Sequence, residues 1–99
     1  MEHRCAKRFQ ARFDALVYRG GGLVFQGTTR NIGTDGAFIE LPDNRLTRNT
    51  LVEVEIGPDV LSGSRKRAMV VHAGPKGIGL MFETVVRIPA LESSFPRVA

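Results

Sequence analysis

Ninety-nine residues leave room for one domain with one modest core, burying roughly 60–65% of the extended chain's surface. Fourteen Lys and Arg against ten Asp and Glu give a net charge of +4, which suits an anionic partner but falls short of a nucleic-acid-binding tail. The single cysteine, Cys5, excludes an internal disulfide, and with no paired ligand spacing around it a structural zinc site is excluded in practice.

Residues 1–12 are polar and basic, with Arg4, Arg8 and Arg12 at four-residue intervals. On a helix these would share one face and repel, so the stretch reads as a flexible arm that orders against something anionic. Phe13–Tyr18 is apolar except for Asp14 and reads as a first strand, and Arg19–Gly22, with three consecutive glycines, as a hairpin turn. Leu23–Arg30 carries Val24, Phe25, Thr28 and Thr29 and reads as a second strand. Asn31-Ile-Gly33-Thr-Asp35-Gly36 follows as a polar loop, its glycines suited to unusual backbone angles and Asn31 and Asp35 to local hydrogen bonds. Such a loop either only reverses the chain or brings backbone N–H groups and an Asn amide to a polar ligand.

Ala37–Leu41 reads as a third strand, ended by Pro42-Asp43-Asn44. Arg45–Thr50 is a connecting loop. In Leu51–Ile56, Val52, Val54 and Ile56 alternate with Glu53 and Glu55 at the period of a half-buried strand. Gly57–Gly63 is a turn, Arg67–Ala73 a fifth strand, Gly74-Pro75-Lys76-Gly77 a hairpin turn, and Ile78–Glu83 a sixth strand. Beyond it the apolar spacing loosens, and Pro89, Leu91 and Phe95 allow a short terminal helix. The chain thus divides into an arm over 1–12, a barrel over 13–83 and a tail or short helix over 84–99. Six short strands with glycine turns make an all-β domain, most economically a six-stranded antiparallel β-barrel, which closes its edges.

Eleven arginines against three lysines modestly favour a phosphorylated ligand, since the planar guanidinium matches phosphate and guanine edges. No signal peptide or membrane span is visible, and a cytoplasmic location is the default expectation. His3 and His72 are far apart in sequence and Cys5 lacks a nucleophile motif, so no enzyme, metal or cofactor is expected. Gly20-Gly21-Gly22 lacks the Gly-Lys-Ser/Thr of a phosphate loop. A nucleic-acid polymer is disfavoured as partner by one Tyr and no Trp to stack bases. Arg65-Lys66-Arg67 reads as a solvated hairpin end rather than a second anion site.

Arg8-Phe-Gln-Ala-Arg12, then Asn31-x-Gly33-x-x-Gly36, then Gly77-Ile-Gly-Leu-Met-Phe82 form an ordered set that resembles the PilZ domain family, receptors for the bacterial second messenger cyclic di-GMP. The family pattern is Arg-x-x-x-Arg followed by Asp/Asn-x-Ser-x-x-Gly. Arg8 and Arg12 match the pair, Asn31 the Asp/Asn and Gly36 the last glycine, over roughly Lys7 to Phe82. Gly33 departs, standing where the family has serine; losing one neutral hydrogen bond lowers affinity about tenfold at most.

The resemblance implies a cyclic di-GMP-binding receptor or adaptor whose arm orders on the ligand and signals to a protein effector, in motility or biofilm control. Arg8 and Arg12 would grip phosphates or guanine edges, with Lys7 a third cation. Asn31 would address a guanine, while Gly33, Asp35 and Gly36 line the loop. His72, apart from the resemblance, is either an ordinary strand histidine or a position for base stacking. The alternative is a PilZ-like protein-interaction module of pilus or motility machinery that binds no nucleotide.

Overall fold

The computed structural model describes residues 8–42, 46–57, 60 and 65–88. Seven strands run in chain order: β1 Phe9–Gln10, β2 Asp14–Arg19, β3 Gly22–Ile32, β4 Gly36–Glu40, β5 Leu51–Ile56, β6 Lys66–Gly74 and β7 Gly77–Phe82. All pairings are antiparallel, in the order β3-β2-β5-β6-β7-β4, and β4 returns to β3 to close a six-stranded barrel, with β1 added on β3. No helix occurs among the described residues, and none is long and apolar enough to cross a membrane. The expected short helix near Pro89 lies outside them.

Closure depends on the length of β3. Its eleven residues pair with β4 on one edge and with both β2 and β1, end to end, on the other. Inward residues follow the strand period: Ala15 and Val17, Ala37 and Ile39, Val52, Val54 and Ile56, Ala68 and Val70, and Ile78, Leu80 and Phe82 are all buried. Loop residues complete this core. Leu46 and Val60 enter it from segments read only as connections, and Val86 and Ile88 from the stretch read as a tail.

The β2–β3 turn fits the triple-glycine reading, since Gly20 and Gly21 lie between the paired Arg19 and Gly22 with φ of 62° and 87°. Both central residues at positive φ give the tight turn whose twist matches a hairpin.

Two expectations need correction. Residues 8–12 do not stand off as an arm: Phe9 pairs with Ile32 and Gln10 with Asn31, so this part is joined to the barrel. The reason is Thr29, which is fully buried where the β1–β2 edge breaks. Its hydroxyl donates to the Ala11 carbonyl at 2.6 Å and accepts the Phe13 N–H at 2.8 Å, satisfying two groups the interrupted ladder would strand. The second correction concerns the polar loop. Asn31 and Ile32 belong to β3 and Gly36 to β4, which leaves only residues 33–35 as the turn. Neither Gly33 nor Gly36 has a positive φ, so backbone freedom is not why they are glycines.

Candidate functional site

Pairing of Gln10 with Asn31 brings the residue before β1, Arg8, alongside the 33–35 turn. Its Nε donates to Asp35 Oδ1 at 3.1 Å and its Nη1 to Asn31 Oδ1 at 2.9 Å. The third nitrogen, Nη2, lies 3.0 Å from the point a Cβ on Gly36 would occupy, and the Leu80 carbonyl closes the same space. Gly36 is therefore required for close approach: a side chain there would meet β7 and Arg8 at once. Three of the expected site residues, Asn31, Asp35 and Gly36, thus form a cradle for a fourth.

The turn itself is fastened on three sides. The Gly33 N–H donates to the Gly36 carbonyl at 2.8 Å, Asp35 O accepts the Phe82 N–H at 2.8 Å, and Thr34 O accepts the Val86 N–H at 3.0 Å. The Gly33 N–H, one of the loop's backbone donors, is thereby engaged in closing the turn.

Arg12 lies on a separate ion-pair cluster. Its Nη2 and Nη1 donate to Glu40 Oε1 at 2.7 Å and Oε2 at 3.4 Å, and Arg30 Nε donates to Oε2 at 3.1 Å. Hydrogen bonds from Arg12 and then Arg30 hold the Glu40 carboxyl below its ordinary range, and the same contact holds the Arg12 guanidinium above its own. The Arg30 guanidinium also lies 5.0 Å over the Phe38 ring, a cation–π contact.

These side chains share one outer surface because Gly36, Phe38 and Glu40 alternate on β4 while Ala37 and Ile39 point inward. Asn31 pairs with Phe38, Phe38 with Gly79 and Gly79 with His72, which sets a row across β3, β4, β7 and β6. Over the bare Gly79 the rings of Phe38 and His72 come to 6.1 Å at 45°. His72 is thus exposed on the same face as Asn31. Lys7 lies outside the described residues.

Three residues of this surface, Arg30, Phe38 and Glu40, were not singled out from sequence. Phe38 and Glu40 are in phase with Gly36 along a short strand, and that parity was the available signal. Arg30 gave none, since a β-bulge between Thr29 and Asn31 decides where it points. The Arg65-Lys66-Arg67 triplet is no open cation cluster: Arg65 pairs with Glu53 and Glu55 and stacks 3.7 Å over Tyr18, and Arg67 pairs with Glu83. No group of three or more potential metal-ligating side chains occurs among the described residues.

The structure is thus a closed all-β barrel with arginines and carboxylates paired on one outer face. The profile of the PilZ domain matches residues 2–93, nearly the whole chain, and the protein belongs to the PilZ domain family, whose members are receptor and adaptor modules. No curated protein matches the chain.

Proposed function

We propose that the protein is a non-enzymatic receptor for cyclic di-GMP that passes ligand binding to a protein partner, and that it works in the cytoplasm. The observation that carries this reading is the convergence of Arg8, Asn31, Asp35 and Gly36 at the β1–β3–β4 corner, with Arg12 on the same side of the barrel. A guanidinium close to a bare glycine, oriented by two side-chain oxygens, is a preorganised fork for a phosphate or for guanine O6 and N7. Asn31 uses its oxygen on Arg8, which turns its amide NH2 outward as a donor. Phe38 and His72 supply ring surface for a base along the same row.

Binding on this reading is micromolar or tighter, about −8 kcal/mol or better. Replacing either arginine by alanine removes a charge-assisted contact worth about 1.5–3 kcal/mol, which is at least tenfold in affinity. Calorimetry with the wild type, Arg8→Ala and Arg12→Ala tests this. Absence of heat from the wild type at roughly a hundred times that micromolar dissociation constant refutes it.

A second reading is favoured by a specific observation: both arginines are already paired within the chain, and Gly33 offers neither a hydroxyl nor an open N–H. On that reading the barrel is a protein-interaction module, and a partner contact persists when both arginines are replaced.

A further inference from the structure

Among the described residues, Glu40 is the one carboxylate on this face gripped by two arginines at once. Its Oε1 takes Arg12 at 2.7 Å and its Oε2 takes Arg30 at 3.1 Å, although the two arginines come from different segments of the chain. Arg30 reaches it because the register skips from Thr29–Ile39 to Asn31–Phe38, which leaves Arg30 as the extra residue of a bulge. Phe38 then lies beneath the guanidinium at 5.0 Å and holds its plane. Two guanidiniums converging on a pair of oxygens receive carboxylate and phosphate alike, since both anions present the same spacing of acceptors to the arginine fork.

We propose that Arg30 is a third ligand-contacting arginine, and that Glu40 is an internal anion occupying the Arg12–Arg30 position until a phosphodiester group of the nucleotide displaces it. This rests on the nucleotide-receptor reading and adds to it a specific competitor within the chain. An ionised phosphodiester cannot join both arginines while the Glu40 carboxylate stays between them, because the two like charges would sit in contact. Exchange is accessible because the pairs are open to solvent: the side chains of Arg12, Arg30 and Glu40 are 61%, 46% and 30% exposed. Ion pairs this exposed contribute little to stability, so Glu40 can swing into water without disturbing the barrel. Glu40 thereby raises the ligand concentration at which the receptor responds and screens out anions that cannot engage both arginines.

The test is titration of the full chain with cyclic di-GMP, for the wild type, Glu40→Gln, Arg30→Ala and the double variant, each first checked for an unchanged amide spectrum. Glu40→Gln is expected to bind roughly three- to tenfold tighter than wild type, and Arg30→Ala weaker by a similar factor. In the double variant the gain from Glu40→Gln should be smaller than in the single variant but not zero, because Arg12 is still released while the Arg30 contact is gone. If the wild type binds and neither substitution changes its affinity, or Glu40→Gln weakens it, the inference is overturned and the receptor reading stands. No binding by the wild type or Glu40→Gln overturns both.

Discussion

Thr29→Val is the most informative perturbation of the frame that carries Arg8. Valine has nearly the shape of threonine, so the change leaves no cavity and isolates the hydroxyl. That hydroxyl makes two bonds, to the Ala11 carbonyl at 2.6 Å and from the Phe13 N–H at 2.8 Å, at a residue with no solvent exposure. Each backbone group left without a partner costs about 1–3 kcal/mol. Ala11 and Phe13 are themselves half-buried, so water recovers part of this and values towards the bottom of the range apply, about 2–3 kcal/mol for the two groups together. Against a total stability of about 5–15 kcal/mol, this shifts the melting midpoint by roughly 10–20 °C. Thermal unfolding followed by circular dichroism measures it, with amide hydrogen exchange at Phe13 as the local readout. Thr29→Ser is the control: it keeps both bonds and loses one methyl group, worth about 1 kcal/mol. The serine variant should therefore be the more stable of the two despite its smaller side chain. A valine variant melting within about 3 °C of wild type, or above the serine variant, refutes the assignment of Thr29 as the link between β1 and the barrel.

Other outcomes follow from the same geometry. Gly36→Ala should destabilise the protein by about 1–3 kcal/mol in urea denaturation and also weaken ligand binding, because its methyl meets both the Leu80 carbonyl and Arg8 Nη2; wild-type stability would show that the β4–β7 contact yields freely. Leu80→Ala, at a fully buried position, should cost about 2–5 kcal/mol, and a loss under 1 kcal/mol would mean the barrel collapses around the site. Glu40 gives a pH signature. Its carboxyl titrates lower in the folded protein than in the unfolded chain, chiefly through the Arg12 hydrogen bond, so its stabilising contribution is complete above the ordinary carboxylate range near pH 4.3. That contribution disappears as pH falls through the depressed folded value. The stability difference between wild type and Glu40→Gln should therefore be flat above about pH 5 and shrink in more acidic solution; growth on acidification would contradict the pairing.

Much of the barrel was legible along the chain because strands such as β2 and β5 carry a clean in–out alternation. Val52, Val54 and Ile56 against Glu53 and Glu55 defined β5 to the residue, and the triple glycine defined the β2–β3 turn. The Arg8–Arg12 and Asn31–Gly36 motifs were equally visible, as spacing alone reveals them. Less visible were the pieces whose role depends on a distant neighbour. Leu46, Val60, Val86 and Ile88 show no periodicity and are core only through tertiary packing against the other buried residues. Residues 8–12 looked like a charged arm because nothing local distinguishes a strand attached by one buried threonine from a loose segment.

The sequence by itself determined the all-β class, the six barrel strands and the candidate binding residues, since these follow from local periodicity, turn chemistry and motif spacing. Only the tertiary structure decided how those residues are occupied: Arg8 on Asn31 and Asp35, Arg12 sharing Glu40 with Arg30, and Gly36 kept bare by a carbonyl of β7. The physical reason is that strand register and a single bulge in β3 choose which charges meet, and register belongs to the closed sheet rather than to any one strand.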